Sequence, residues 1–564
     1  MKLSKVSTLS RAIAVILAAG IISGCGGSGS SNNNTVTPTT PTTPTTPTTP
    51  TTPTTPTTPT TPDEPTWEAG VYEDASNFIA RCETPRTGID PFTGEDYPDT
   101  EGSALEEKLW LRSWTNNTYL WYDEVDDNPP ENFTVEAYFA QLKTNGVTPT
   151  GSAKDNFHFS QPTDEYNTLA QTGVTSSYGF SWEFVSSTPP RQLVVRYTEP
   201  GSPAALAVIP RGASLLRVNG IDFVNDNTQA GVDALNDALF PAESGQSSTF
   251  DFELADGSVL TETLTSEDIV VSPVQNTKVL DTESGKVGYF QFNTFNRTAQ
   301  DDLIASFETF IDENITELVI DLRYNGGGLL ALASQLSYMI AGPNQTNGMI
   351  FETLQFNDKH PDYDPISGNE IQPTPFYQYE IDYNAGVFIN TLLPSVSLSK
   401  IYVITTDSTC SASEAVINAL RGIDVEVVQI GSATCGKPYG FYPTDNCGTT
   451  YFTIQFQGVN AKGFGDYADG FIPSSSPNFD FELPGCTVSD DFSAALGDPE
   501  EAMLSTALAH SATGSCPAVT VSSTSQLQNN SLGRDDGLSI KRPNELKSSI
   551  FLHNKISTPI RQPE

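Results

Sequence analysis

The feature that most constrains this chain is an alternation of apolar strand-like runs with amphipathic helical stretches from about residue 276 onward. Runs at 287–292, 318–322, 401–405 and 425–430 read as strands. Between them, 301–312 carries Leu303, Ile304, Phe307 and Phe310 on one helical face, and 329–340 reads as a second helix. Segments that alternate this way bury their apolar surfaces by layering helices on a sheet, so 276–516 is predicted to be an α/β core. Asp498-Pro499 is expected to cap a last helix running to Ala509, with Cys516 tying down its end.

Two segments in this core carry reactive side chains: S-T-C-S-A-S-E at 408–414 and T-C-G-K-P-Y-G at 434–440. Ser411 opens a predicted helix, and Lys437 follows the strand after it. A lysine can activate a serine only when its amine is neutral, which requires an apolar, desolvated setting. The apolar residues of the 415–420 helix and the 425–430 strand supply one. Ser411 to Glu414 also fits an S-x-x-E capping box, so a purely structural serine competes with a nucleophile. The helix N-terminus favours developing negative charge, and the Ala412 N–H would face a tetrahedral oxyanion. Gly431 to Lys437 spells G-x-x-x-x-G-K, but Pro438 stands where a phosphate-binding loop needs Ser or Thr, which argues against nucleotide.

The serine in its S-A-S-E context, with a G-K lysine downstream, resembles the C-terminal processing peptidases, or tail-specific proteases. Asp321-Leu322-Arg323-Tyr324-Asn325-Gly326-Gly327-Gly328 is similar to that family's D-L-R-x-N-x-G-G turn. The segments 200–205 and 211–220 resemble a PDZ core, which the family carries ahead of its catalytic half. The resemblance covers roughly residues 100 to 510. It implies a Ser411–Lys437 dyad, with Ala412 and Gly327 as oxyanion donors; Gly326 or Gly328 is an alternative to Gly327. It also implies a carboxylate-binding loop at Tyr178, Gly179 and Phe180, beside a groove that accepts an added peptide strand.

One position departs from the family. A glutamine that orients the lysine is replaced by Phe441, leaving Glu414, Gln455, Gln457 or no third partner. A histidine base is a further alternative, because His158 precedes the PDZ-like segment as in the related tricorn-type peptidases. The implied activity is serine endoproteolysis of exported proteins near their C-termini. The competing reading is a tethered peptide-binding module without catalysis.

The ends differ from the middle. Lys2, Lys5 and Arg11 precede an apolar run at 12–22, then Ile22-Ser23-Gly24-Cys25. The run is too short to span a bilayer and reads as a signal peptide whose lipobox would lipidate Cys25. Gly26 after it favours the outer membrane, again by resemblance. Thr-Thr-Pro triplets then make 26–66 a stiff tether, with a Pro-x-x-P ligand as the rival reading. A net charge of -41 sets nucleic acid aside as a partner.

The expected fold class is therefore multidomain. It comprises a mostly helical region at 67–169, a PDZ-like β domain at 170–275, the α/β catalytic core, and a disordered tail at 517–564. No cofactor and no metal are expected, since the chain has no C-x-x-C pair. Beyond Cys25, six cysteines predict three disulfides. Cys435–Cys447 is the favoured clamp on the lysine loop, and Cys410 paired with either is the competitor.

Overall fold

The computed structural model describes residues 65–172, 174–517 and 540. The signal segment, Cys25, the Thr/Pro tether and most of the proposed tail lie outside them. The fold is multidomain and mixed α/β, with strands more numerous than helices.

The first region holds one long helix, α1 (Ala104–Thr118). Ser103 Oγ accepts from the Glu106 N–H at its start, as the S-x-x-E spacing predicts. Helix is sparser here than the mostly helical expectation. Besides α1 there are only 135–139, 163–172 and single 3-10 turns. Prolines at 85, 91, 98, 129 and 130 break the intervening chain. The aromatic residues of α1 belong to the core: Trp110 stacks on Trp114 at 5.2 Å, and Tyr451 packs against Trp110. Tyr451 comes from the C-terminal half, whose 449–452 strand pairs with β1 (Phe159–Pro162). The first region therefore completes its core with a borrowed strand.

Next come β2 (Phe180–Ser186), β3 (Gln192–Thr198), β4 (Ser214–Val218), helix α2 (Gln229–Leu239), β5 (Ser247–Glu253) and β6 (Val259–Thr265). The strands form an antiparallel sheet in the order β6-β5-β4-β3-β2. α2 buries Val232, Leu235, Ala238 and Leu239, a spacing that puts all four on one face. Ile540 belongs to the same apolar cluster, and its N–H donates to Ser187 O at 3.4 Å.

The C-terminal half is built on a seven-stranded sheet. Along the chain come β7 (Val274–Thr282), β8 (Gly285–Phe292), α3 (Ala299–Glu313), β9 (Glu317–Asp321) and α4 (Leu330–Ala341). Then follow β10 (Ile350–Gln355), β11 (Lys400–Thr405), α5 (Ala412–Gly422) and β12 (Glu426–Gly431). The last elements are β13 (Thr449–Phe452), β14 (Phe456–Val459), β15 (Ile472–Ser474), β16 (Glu482–Thr487) and α6 (Ala502–Thr513). The order is β7-β8-β9-β11-β12-β16-β15; only the β7–β8 pair is antiparallel. α3, α4 and α5 contribute to one apolar cluster and α6 to another, so β9, β11 and β12 are covered on both faces. In such sheets sites form beyond the carboxyl ends of the strands. The chain leaving β9 gives the glycine turn, that leaving β11 gives Ser411, and that leaving β12 gives Lys437.

The cap of α6 differs from expectation. Glu501, not Asp498, is its N-cap and accepts from the Leu504 N–H. Asp498 instead turns the chain, its carbonyl accepting from the Glu501 N–H. Three disulfides are present: Cys82–Cys447, Cys410–Cys435 and Cys486–Cys516. The Cys435–Cys447 clamp is thus replaced by the competing pair. Cys447 turns the hairpin between 444–446 and β13 and meets Cys82, 365 residues away in sequence. Cys516 does tie down the end of α6.

Candidate active site

Ser411 stands between β11 and α5 with φ 55° and ψ −113°, a conformation that costs a non-glycine residue energy. Such a corner projects a serine side chain from the end of a sheet, as nucleophile-bearing turns do. The surroundings impose it. The Cys410 N–H donates to Asn325 O, Ser413 Oγ donates to the same carbonyl at 3.1 Å, and Cys410 is bonded to Cys435.

Gly327 has φ +106° and lies directly against this corner. A Cβ there would sit 2.8 Å from Ser411 Cβ and 2.9 Å from Ala412 N, so no other residue fits. The Gly327 N–H is held by Asn325 Oδ1 at 2.8 Å. Its neighbour Gly328 lines the cleft that also contains Ser411, Lys437 and Pro438.

Lys437 is 2% exposed. Burial drives its amine well below the ordinary lysine value, while the carboxylates of Asp155 and Glu414 pull the other way. Nζ lies 4.2 Å from the Phe441 ring centroid and 5.0 Å from that of Phe157. The residue that replaces the expected glutamine is therefore one of two aromatic faces that confine the amine.

Glu414 ties the two segments together. Its wholly buried carboxyl accepts from the N–H groups of Ser411, Gly436 and Lys437, each at 2.9 Å, and from Thr434 Oγ1 at 2.6 Å. Burial raises its pKa, against these four donors. Every partner donates and none accepts, so the ionised form is the one that fits.

The other sequence candidates are engaged elsewhere. Gln455 accepts from the Tyr442 N–H at 2.7 Å, and Gln457 donates to Gly465 O at 2.7 Å. His158 bonds Thr453 Oγ1 at 2.9 Å and Phe139 O at 2.7 Å, and its ring stacks on Phe139. Burial pushes it down to about 4, and it does not line the Ser411 cleft. At 178–180, Tyr178 is buried and its hydroxyl donates to Ser248 Oγ at 3.1 Å. The Gly179 N–H is held by Ser177 Oγ at 3.1 Å, and Phe180 starts β2.

Sequence reading missed three contributors: Asp155, Phe157 and Glu352. Asp155 and Phe157 lie far from Lys437 in sequence, and only their place just ahead of His158, in Asp155-Asn156-Phe157-His158, marks them. Glu352 lines the same cleft from β10.

The arrangement defines a class before it defines a family: a confined amine and a cornered serine at one cleft are the parts of a hydrolase. The comparisons narrow it. The model of peptidase family S41 matches residues 286–442, a span that contains both Ser411 and Lys437. A carboxyl-terminal-processing peptidase 2, chloroplastic, of Arabidopsis thaliana is 30% identical over 258 residues, covering 41% of this chain and 47% of its own length. A carboxyl-terminal-processing protease of Picosynechococcus sp. is 30% identical over 142 residues, covering 24% of this chain and 32% of its own. A crystal structure from Bacteroides fragilis NCTC 9343, described as an S41 protease, aligns with a TM-score of 0.53 at 25% identity, covering 74% of this chain and 98% of that one. The chain spans about half the length of the first of these curated relatives and a third of the second. Together these matches support a peptidase related to family S41, the C-terminal processing peptidases. Among the described residues, no helix is long and apolar enough to cross a membrane.

Proposed function

We propose that this protein is a serine endopeptidase with a Ser411–Lys437 dyad. The observation that carries the reading is one cleft holding a serine in a left-handed backbone corner and a buried lysine with a lowered pKa, joined through Glu414. Ser411 Oγ attacks the scissile carbonyl while neutral Lys437 takes its proton. The Ala412 N–H, at the start of α5, donates to the oxyanion. Because the Gly327 N–H is already held by Asn325, Gly328 is the better second donor. Lys437 returns the proton to the leaving amine, and water then releases the acyl group from Ser411.

The substrates we propose are exported proteins cut near their C-termini, delivered by the antiparallel β2–β6 sheet acting as a PDZ-like domain. A bound peptide would add a strand along β2 and direct its carboxylate to the 178–180 turn. A lipid on Cys25, with the 26–66 tether, would hold the enzyme at the cell envelope.

The deciding experiment treats the purified protein with a serine-reactive phosphonate and maps the adduct by mass. Labelling of the Ser411 peptide, together with loss of cleavage of an unstructured substrate by Ser411→Ala, is expected. Unimpaired cleavage by Ser411→Ala would remove the assignment.

A further inference from the structure

The Ser411 cleft is apolar on much of its wall, where Leu330, Ala415, Phe456 and Tyr467 face it, yet it also contains a carboxyl group. Glu352, in β10, is 7% exposed. Among the described residues no hydrogen bond or ion pair reaches its carboxyl, and burial alone pushes it up to about 8. Nor are its oxygens among the sealed polar atoms of the interior. The little exposure they keep is consistent with their place in the cleft wall.

Room has been left for this carboxyl. Oε2 stands 2.5 Å from where a Cβ on Gly458 would be, so any side chain at 458 would displace it. Gly440, on the neighbouring strand, is similarly required: its Cβ would fall 2.3 Å from the Phe456 ring. These residues enclose a narrow space that opens to solvent at its mouth. Among the described residues, the carboxyl thus stands desolvated and without a partner inside an aromatic and aliphatic pocket. A buried acid without a donor or cation costs stability, and in the free protein nothing offsets that cost. A ligand that brings a cation would.

Resting on the peptidase reading above, we propose that Glu352 sets the specificity of the cleft by receiving a lysine or arginine side chain of the substrate residue whose carbonyl Ser411 attacks. The aliphatic stem of such a residue would lie along Leu330, Phe456 and Tyr467, and its charged end would meet the Glu352 carboxylate. A pocket without that acid would select apolar residues at the same position. The ionisable groups facing Glu352 are Tyr377, Tyr442 and Tyr467, which stay neutral at pH 7; Lys437 shares the cleft, and burial drives its amine well below the ordinary lysine value. None of these supplies the missing cation. Entry of a basic side chain therefore ionises Glu352 and releases up to one proton near pH 7.

The test uses the full chain and matched peptides carrying Lys, Gln or Leu at the position before the cleaved bond. For the wild type, kcat/KM should favour the Lys peptide over the Leu peptide by on the order of 100-fold. Glu352→Leu should abolish or invert that ratio while leaving the Leu peptide well cleaved. A Leu preference in the wild type, a preference for Gln over Lys, or an unchanged ratio in Glu352→Leu overturns the proposal.

Binding is measured in parallel on Ser411→Ala by calorimetry in two buffers of different ionisation enthalpy. The Lys peptide should bind at least about tenfold tighter than the Leu peptide, with proton release. Both effects should vanish in Ser411→Ala/Glu352→Leu, and equal affinities overturn the inference whether or not the wild type cleaves. If the peptidase reading alone fails, no peptide is cut and Ser411 takes no phosphonate, but this binding difference persists. A raised melting temperature in Glu352→Leu confirms that the variant is folded and that the unpaired carboxyl had been unfavourable.

Discussion

At the scale of single residues, the proposed dyad depends on keeping one amine uncharged. Lys437 has a folded-state pKa well below its ordinary value because burial penalises the ammonium. The unfolded chain therefore binds more protons than the folded one between the folded value and about 10.5, and stability rises with pH across that window by about 1.4 kcal/mol per unit. Lys437→Met removes the penalty and the proposed base together. It should be more stable than the wild type by about 1–3 kcal/mol at pH 7, lose the pH dependence of stability in that window, and show no cleavage. Thermal melts from pH 6 to 9 beside a peptide assay check this; a destabilised Lys437→Met would mean that the amine is held as a charged partner. Under the proposed dyad, the rate of the wild type should climb with pH as Lys437 loses its proton, since only the neutral amine can accept one from Ser411.

Glu414 makes the opposite case, a buried charge that is fully partnered. Glu414→Gln keeps the volume but presents an NH2 group to an environment made only of donors. About 2–4 kcal/mol of stability should be lost, with activity falling at least about tenfold. Wild-type stability in denaturant titrations would show that the four bonds hold nothing in place.

At the scale of elements, strands and helices were readable wherever one local pattern decided them. The four apolar runs at 287–292, 318–322, 401–405 and 425–430 became β8, β9, β11 and β12 with ends shifted by at most two residues. The 301–312 stripe became α3, with Leu303, Phe307 and Phe310 all buried. What was not readable depended on distant partners. Glu352 sits beside Phe351 in β10, where alternation predicts one residue in and one out, yet both faces of that strand are covered and both side chains are buried. Cys447 finds Cys82 across 365 residues of chain, and no spacing rule reaches that far. The backbone corner at Ser411 also has no signature in residue type, since serine carries no preference for positive φ.

The disulfide that did form, Cys410–Cys435, joins the residue before Ser411 to the loop that carries Lys437. It closes a loop of 25 residues, for which chain entropy gives on the order of 3 kcal/mol. The double variant Cys410→Ala/Cys435→Ala should lose roughly that much and raise the mobility of 432–438. Activity should fall less than in Glu414→Gln, because the hydrogen bonds to Glu414 still hold the lysine loop. Hydrogen exchange over 432–438 and a peptide assay compare the two; a greater loss of rate in the disulfide variant would reverse that ranking.

At the scale of the whole molecule, the sheet of β2–β6 is bonded to the strand ends that carry the site. Arg196 of β3 reaches Ser408 Oγ at 3.2 Å and lies over the Tyr324 ring. Arg211 donates to Tyr324 Oη at 2.7 Å, and both bond the Asp490 carboxylate. Arg323 completes the cluster at 3.2 Å from Asp490, while holding Asp321 and Glu501 on its other nitrogens. Tyr324 lies one residue before Asn325 and three before Gly327. Displacement of the sheet therefore pulls directly on the turn packed against Ser411.

Burial alone would raise the Asp490 carboxyl, but Arg211 and Arg323 hold it below the ordinary range. A depressed carboxylate contributes stability that is present above its unfolded value of about 3.8 and is lost as pH falls through the folded value. Asp490→Asn removes that contribution at neutral pH as well. Arg323 keeps two carboxylates, whereas Arg211 keeps none, so the cost should fall on the connection between the sheet and the strand ends. A loss of about 2–4 kcal/mol is expected, with faster hydrogen exchange at both 196–215 and 322–328 and kcat/KM reduced at least about tenfold. Confinement of the exchange increase to 196–215, with full activity, would mean that the sheet is attached to the catalytic half without bearing on Ser411.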